Sequence, residues 1–244
     1  MAIELNTLQI LQGSFTLVFV LISLALGFLI ISKYFKYEKR EYLLVGITWI
    51  FLVSPYWPDA ISFLLILFTG TKLNEPTYFF LANGFIPVIH ITWIIVITDF
   101  MYKDKQKYLL SVFIIESIAF EIIFLTVLFM NPYLIGTPQS NPFVVEWNIF
   151  IDLYLIISIA LFLITGLLFA SESLKSDSKE LRFRGWFLIS AFISFTIGTL
   201  IDVILEITEI TIVIARLFVI IAAFCFYLGF TMPNFIKKIL IKEQ

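Results

Sequence analysis

One cysteine and one histidine stand among 244 residues. Cys225 alone makes no internal disulfide, and His90 alone cannot build a histidine-rich metal site. The chain has no metalloprotease helix motif, no paired histidines and no Gly-rich phosphate loop. Charge is scarce as well. Charged residues make up 14%, the net charge is −2 and the pI is near 5.5, which excludes nucleic acid as a natural partner. The last apolar run holds no lysine, so a retinal Schiff base has no attachment point there. No internal repeat is visible, which sets the chain apart from inverted-repeat transporters. The expectation from these absences is no enzyme and no cofactor.

What is present is apolar. Hydrophobic residues reach 61%, where a soluble domain sits nearer half. Seven apolar runs lie at about 10–32, 42–69, 77–101, 108–130, 147–171, 185–205 and 210–232. Each matches the roughly 20 residues that cross a hydrocarbon core as a helix. The first run has no basic residue before it and no small-residue cleavage pattern after it, so it reads as a retained helix. The expected fold is an all-α integral membrane bundle of seven transmembrane helices over 1–233. A short basic amphipathic tail follows over 234–244.

The basic residues alternate in position. Lys33, Lys36, Lys39 and Arg40 follow the first run, and Lys103, Lys105 and Lys107 follow the third. Lys175, Lys179, Arg182 and Arg184 follow the fifth, and Lys237, Lys238 and Lys242 follow the seventh. The other gaps carry Lys72 alone. Short loops rich in Lys and Arg face the cytoplasm. The N-terminus is therefore expected outside and the C-terminus in the cytoplasm of a multi-pass protein of the cell membrane. Tyr34, Tyr37, Tyr42, Tyr78, Tyr102, Tyr108, Tyr133, Trp147 and Trp186 fall near run ends, where interfacial aromatics sit.

Two runs are interrupted. Ser54-Pro55-Tyr56-Trp57-Pro58-Asp59 removes two backbone donors from the second and kinks it. Pro87 lies inside the third. The segment 131–146, with Gly136, Pro138 and Pro142, reads as a loop.

An ionisable side chain deep in a membrane helix is costly and must face inward to partners. At about 1.5 Å per residue, Asp152, Asp202 and Arg216 share one layer near the outer face. Arg216 is the one basic residue within an apolar run, and its planar fork suits one or both carboxylates. The layer reads as a structural clamp on the last three helices, as the floor of an outward-opening ligand pocket, or as an arginine reaching alone to the interface. Ser190, Ser194, Gly198 and Asp202 recur at every fourth position of the sixth run, a small-residue face that lets helices approach. A second layer near mid-membrane comprises Asp59, His90 and Glu121. Histidine titrates near neutral pH, which makes this group a candidate proton-responsive site. Asp59 also suits the role of cap for the helix restarting after Pro58. Glu116 falls nearer the inner side, and Asp99 lies beside Lys103 and Lys105.

Several segments carry a resemblance. They are Trp49–Gly70 (WIFLVSPYWPDAISFLLILFTG), Phe120–Ile123 (FEII), Gly166–Leu174 (GLLFASESL), Gly185–Leu188 (GWFL) with Ala191–Ser194 (AFIS), and Phe226–Phe230 (FYLGF). In these the chain resembles a group of uncharacterised archaeal seven-helix membrane proteins. The resemblance implies the fold and transfers no site residue. More loosely, Pro87–Phe100 with the short basic loop after it is similar in layout to the seven-helix sensor region of some histidine kinases.

The first functional expectation is a receptor- or sensor-like membrane protein without an output domain in these residues. It would bind a small or lipophilic ligand over Asp152, Asp202 and Arg216, with the bilayer and a cytoplasmic partner at Lys175–Arg184 as its contacts. A proton- or ion-linked transporter using Glu121, His90 and Asp59 is the second. A structural or assembly subunit is the third.

Overall fold

The computed structural model describes residues 3–241; Lys242 and the two residues after it lie outside the described residues. Among these, seven helices are long and apolar enough to cross a membrane. The first is α1 (Thr7–Tyr37). The second is built from α2 (Arg40–Leu52), a 3-10 turn over Ser54–Tyr56, and α3 (Trp57–Thr69). The third is built from α4 (Glu75–Asn83) and α5 (Ile86–Phe100). The remaining four are α6 (Gln106–Met130), α7 (Ile149–Leu174), α8 (Lys179–Ile204) and α9 (Glu209–Thr231). A short α10 (Asn234–Leu240) follows Pro233, as the break at Pro233-Asn234 implies.

The helices overrun the apolar runs because hydropathy marks the hydrocarbon crossing, whereas hydrogen bonding continues to the nearest cap. Ser178 accepts from Leu181 N and starts α8 six residues before the apolar run. Asn6 and Gln9 form a reciprocal capping box that starts α1 at Thr7. The kink in the second span falls where expected, with Pro55 and Pro58 each in a first turn, where no intrahelical donor is lost. The third span differs from a single helix over 77–101. It breaks at Gly84-Phe85, because Pro87 can sit in the first turn of α5 and not in mid-helix. The segment 131–146 is also more than a loop. Strand β1 (Gly136–Pro138) pairs antiparallel with β2 (Val145–Trp147), with Thr137 opposite Glu146. Trp147 thus belongs to a strand, and α7 begins at Ile149 with Asn148 as its cap.

Six spans close a ring. α9 lies between α8 and α1, α1 meets α2 and α3, α2 meets α5, α5 meets α7, and α7 returns to α8. α6 packs on the outside of α5 and touches α7 through Phe120 and Tyr154, whose rings stack at 3.7 Å. At one end Ile3 N bonds Gly70 O at 2.9 Å, Asn141 donates to Gln12 at 2.9 Å, and the hairpin lies across the ring. At the opposite end Asp99 pairs with Arg40, Lys103 and Gln106, and Glu180 pairs with Arg184 and Lys237. Asp99 therefore has Lys103 as expected, but Arg40 rather than Lys105 completes its shell. Among the described residues, the basic residues of the gaps, Lys72 apart, gather at this second end.

α8 and α9 form the most extensive seam. A methyl group on Gly198 would sit 2.9 Å from Ala215 O and 2.7 Å from the Val219 side chain, so glycine sets the approach. The face differs in part from the expected Ser190-Ser194-Gly198-Asp202 row. Ser190 is exposed, and the buried side runs through Gly185, Leu188, Ala191, Phe192, Phe195, Gly198 and Thr199. A strict four-residue repeat drifts around a 3.6-residue helix, so its far end leaves the seam.

Candidate functional site

Between α4, α5, α7, α8, α9 and the second-span kink lies a cavity of about 790 Å³. Its end wall comes from the hairpin, Phe143 to Trp147, and from Leu205 to Ile207. Its floor reaches His90, Trp93 and Phe162. Along one side the wall includes Ile156 of α7 and Val203 of α8, which are 54% and 69% exposed. The cavity therefore reaches the bundle surface between these two helices. Nearer the basic end the seam closes, with Phe192 packed at Gly166 and Phe162 edge-on to Phe192 at 5.0 Å.

Arg216 stands in the wall at 3% exposure. Its Nη1 pairs with Asp202 Oδ2, its Nε donates to Thr16 Oγ1 at 2.9 Å, and its Cζ lies 4.9 Å from the Tyr56 ring centre. The Tyr56 hydroxyl donates to the same Asp202 oxygen at 3.1 Å. One guanidinium thus ties α9 to α8, to α1 and to the kink of the second span. The expected pair of Arg216 with Asp202 forms. Asp152 does not join it: no side-chain bond of Asp152 occurs among the described residues, and it lines the cavity separately. Asp152 lies in the first turn of α7.

The expected mid-membrane group separates into three. Asp59 accepts the Tyr78 hydroxyl at its Oδ1 and belongs with the Arg216 layer on the cavity wall. It does not cap the restart of the second span, which has no side-chain cap bond. His90 holds three partners, Glu116 through Nδ1 at 3.1 Å, Ser158 through Nε2 at 2.9 Å and the Tyr154 hydroxyl, 3.5 Å from Nδ1. Glu121 joins neither. It is half-buried on α6, outside the cavity and with no side-chain bond among the described residues. The choice between Glu116 and Glu121 is one of helical phase. The two differ by five residues, about 140° apart on a helix, and α6 turns the first toward α5.

Sequence reasoning set Asn83 on one face of the third run with Pro87, His90 and Ile94, and gave no polar role to Tyr56, Tyr78 or Thr16. Tyr78 reads as an interfacial ring near a run end, yet it is buried with its hydroxyl on Asp59. Tyr56 sits inside the Pro55–Pro58 break, and a polar-tipped aromatic at a forced kink was the available signal. Thr16 carried none, because short polar residues are common in membrane helices.

Compared with protein-family models, with characterised proteins and with solved structures, the chain matches none.

Proposed function

We propose that the chain is a receptor- or sensor-like protein of the cell membrane whose ligand, small or lipophilic, occupies the cavity above His90. In this reading the chain begins outside the cell and ends in the cytoplasm. The gathering of Lys and Arg at the end opposite the hairpin supports that orientation. The observation that carries the function is the cavity itself. A bundle that only held helices together has no need of a recess of this size opening between two of its helices. Here about 790 Å³ remains, inside the range of ligand pockets, with apolar walls and a few convergent polar groups. The kink of the second span is the element a ligand would move, since Tyr56 and Asp59 both come from it and both face the cavity.

Proton- or ion-linked transport is less well supported, because Glu121 lies outside the cavity that His90 lines. The basic end would serve as the cytoplasmic contact surface over Lys175–Arg184. Part of its charge is already used, since Lys175 pairs with Glu172 at 2.5 Å and Arg184 with Glu180 at 2.6 Å.

Native mass spectrometry of protein extracted from its membrane tests the reading. The parent protein is expected to carry a non-covalent adduct. Ala82→Trp, which places an indole at the buried cavity wall, is expected to remove the adduct while the protein still melts cooperatively. Bare protein in both cases speaks against a ligand site.

A further inference from the structure

Three side chains at the floor of the cavity stand in a particular order. Ser158 Oγ of α7 lies 2.9 Å from His90 Nε2, and Glu116 Oε2 of α6 lies 3.1 Å from His90 Nδ1. A hydroxyl on one ring nitrogen and a carboxylate on the other is the arrangement of a serine, histidine and acid triad. Such a triad is recognised by geometry and roles, not by sequence position. No linear motif records it, since α5, α6 and α7 each supply one residue. His90 is 4% exposed, so packing holds the imidazole in place. Ser117 Oγ donates to the same Glu116 oxygen at 3.4 Å and steadies the carboxylate.

The partners dictate where the protons go. Toward an ionised Glu116, the neutral ring carries its proton on Nδ1 and donates it there. The Tyr154 hydroxyl makes only the longer contact to Nδ1, at 3.5 Å. Nε2 is then an acceptor directed at Ser158. The Ser158 hydroxyl has one proton and two acceptors in reach, Tyr154 O at 2.6 Å and Nε2 at 2.9 Å. Turning the proton from the first to the second moves no heavy atom, and it makes His90 a general base toward Oγ.

A polar knot that only joined three helices would have no need of a reachable hydroxyl. Ser158 and His90 both line the cavity, and Ser158 is half-buried there. Ser158 lies nine residues into α7, roughly 13 Å from its hairpin end. Toward the hairpin the lining includes the exposed Glu146 and Glu206, which gives water a way in. At the side the gap between Ile156 and Val203 faces hydrocarbon. Water from one direction and lipid from another is what hydrolysis of a lipid requires. The helix α7 is continuous through Ser158, so no strand-to-helix elbow sets free backbone N–H groups beside the nucleophile. A missing oxyanion donor costs about 10²–10³ in rate. Esters react more readily than amides, so the site suits an ester.

We infer that Ser158, His90 and Glu116 hydrolyse an acyl ester of a membrane lipid inside the cavity. Ser158 Oγ attacks the ester carbonyl while His90 Nε2 takes its proton. The bond from the acyl carbon to the alcohol oxygen breaks, the alcohol leaves with that proton, and the acyl group stays on Ser158. Water then attacks the acyl carbon and gives one proton to His90. The bond to Oγ breaks, Oγ takes the proton back, and a carboxylic acid departs. Ser158 and His90 are the catalytic residues, and Glu116 is a positioning residue that acts through His90. This goes beyond the receptor reading, in which the same cavity only holds its ligand.

The test uses the full chain in detergent micelles with a decyl fluorophosphonate, which bonds to an activated serine with loss of fluoride. One phosphonyl group is expected on the intact protein, and peptide mapping is expected to place it on Ser158. That result needs no variant to fold. Ser158→Ala is expected to stay unlabelled. Turnover is read with p-nitrophenyl decanoate, which the parent is expected to hydrolyse at least about tenfold faster than Ser158→Ala. Glu116→Gln is expected to slow labelling at least about tenfold with little change in melting, and Glu116→Asp to recover part of that rate. A carboxylate that only held helices would shift melting and leave the labelling rate alone. An unlabelled parent, or label confined to another residue, overturns the triad. Equal ester hydrolysis by the parent and Ser158→Ala overturns it too. If the adduct in native mass spectra persists in an unlabelled protein, the chemistry falls and the ligand site stands.

Discussion

Arg216→Ala is expected to lower the stability of the detergent-solubilised protein by about 3–5 kcal/mol, the range for breaking one side of a buried ion pair. The loss has three sources. Asp202 keeps its carboxyl with only the Tyr56 hydroxyl as donor, Thr16 Oγ1 loses its donor, and the Tyr56 ring loses the guanidinium above it. Most of the cost is the uncompensated group left behind, not the strength of the pair itself. Replacing both partners with apolar residues of similar size, Arg216→Met with Asp202→Leu, is therefore expected to cost much less than Arg216→Ala alone. Thermal denaturation followed by loss of helical signal compares the three proteins. Equal melting of Arg216→Ala and the parent would remove the clamp from the account.

A loss of about 3 kcal/mol is expected for Trp49→Ala, at the low end of the range for deleting a buried tryptophan. Trp49 lies at the centre of the ring, stacked on Phe226 at 4.3 Å and 25° and edge-on to Phe195 at 5.9 Å. The low end applies because surrounding lipid is as apolar as the core, so the loss is mainly packing and dispersion rather than transfer from water. The indole Nε1 of Trp49 has no partner among the described residues. Trp49→Phe removes that unpaired donor and keeps most of the stacking, so it is expected to cost under about 1.5 kcal/mol. Melting curves in one detergent separate the two outcomes. A tryptophan held for its N–H would give similar losses in both variants.

The seven spans were legible because hydropathy reports what the bilayer demands of every crossing segment. The break at Ser54–Asp59 was legible for a related reason: two prolines three apart leave a helix no alternative. The pairing of Arg216 with Asp202 could be read as well, since the one cation in an apolar run needs a carboxylate at its own depth. Depth is a one-dimensional quantity, however, and sequence position gives it almost directly. Contact depends also on helical phase and on the order of helices around the ring. Asp152 was expected at the depth of Arg216 and lines the same cavity, but it has no side-chain bond to it among the described residues. His90 could take Glu116 or Glu121, and only the rotation of α6 against α5 selects Glu116. The break at Gly84-Phe85 was obscured because Pro87 reads equally as a kink inside one helix and as the first turn of another. The cavity has no linear signature at all. It follows from where α7 and α8 part above Phe162, and from which short side chains line the gap.

Both stability changes concern the frame, and the functional account depends on whether the space inside it can be reached. Thiol labelling in a Cys225→Ala background measures that directly, since Cys225 is the chain's sole cysteine. Ser158→Cys and Thr199→Cys place a thiol on the cavity wall, and Ala222→Cys places one at a fully buried position away from it. A charged, membrane-impermeant methanethiosulfonate is expected to label the first two in membranes and leave the third unlabelled. Silence at all three positions, toward this reagent and toward the membrane-permeant N-ethylmaleimide alike, would mean that the space above His90 is reached neither from water nor from lipid, and the ligand site would go with it.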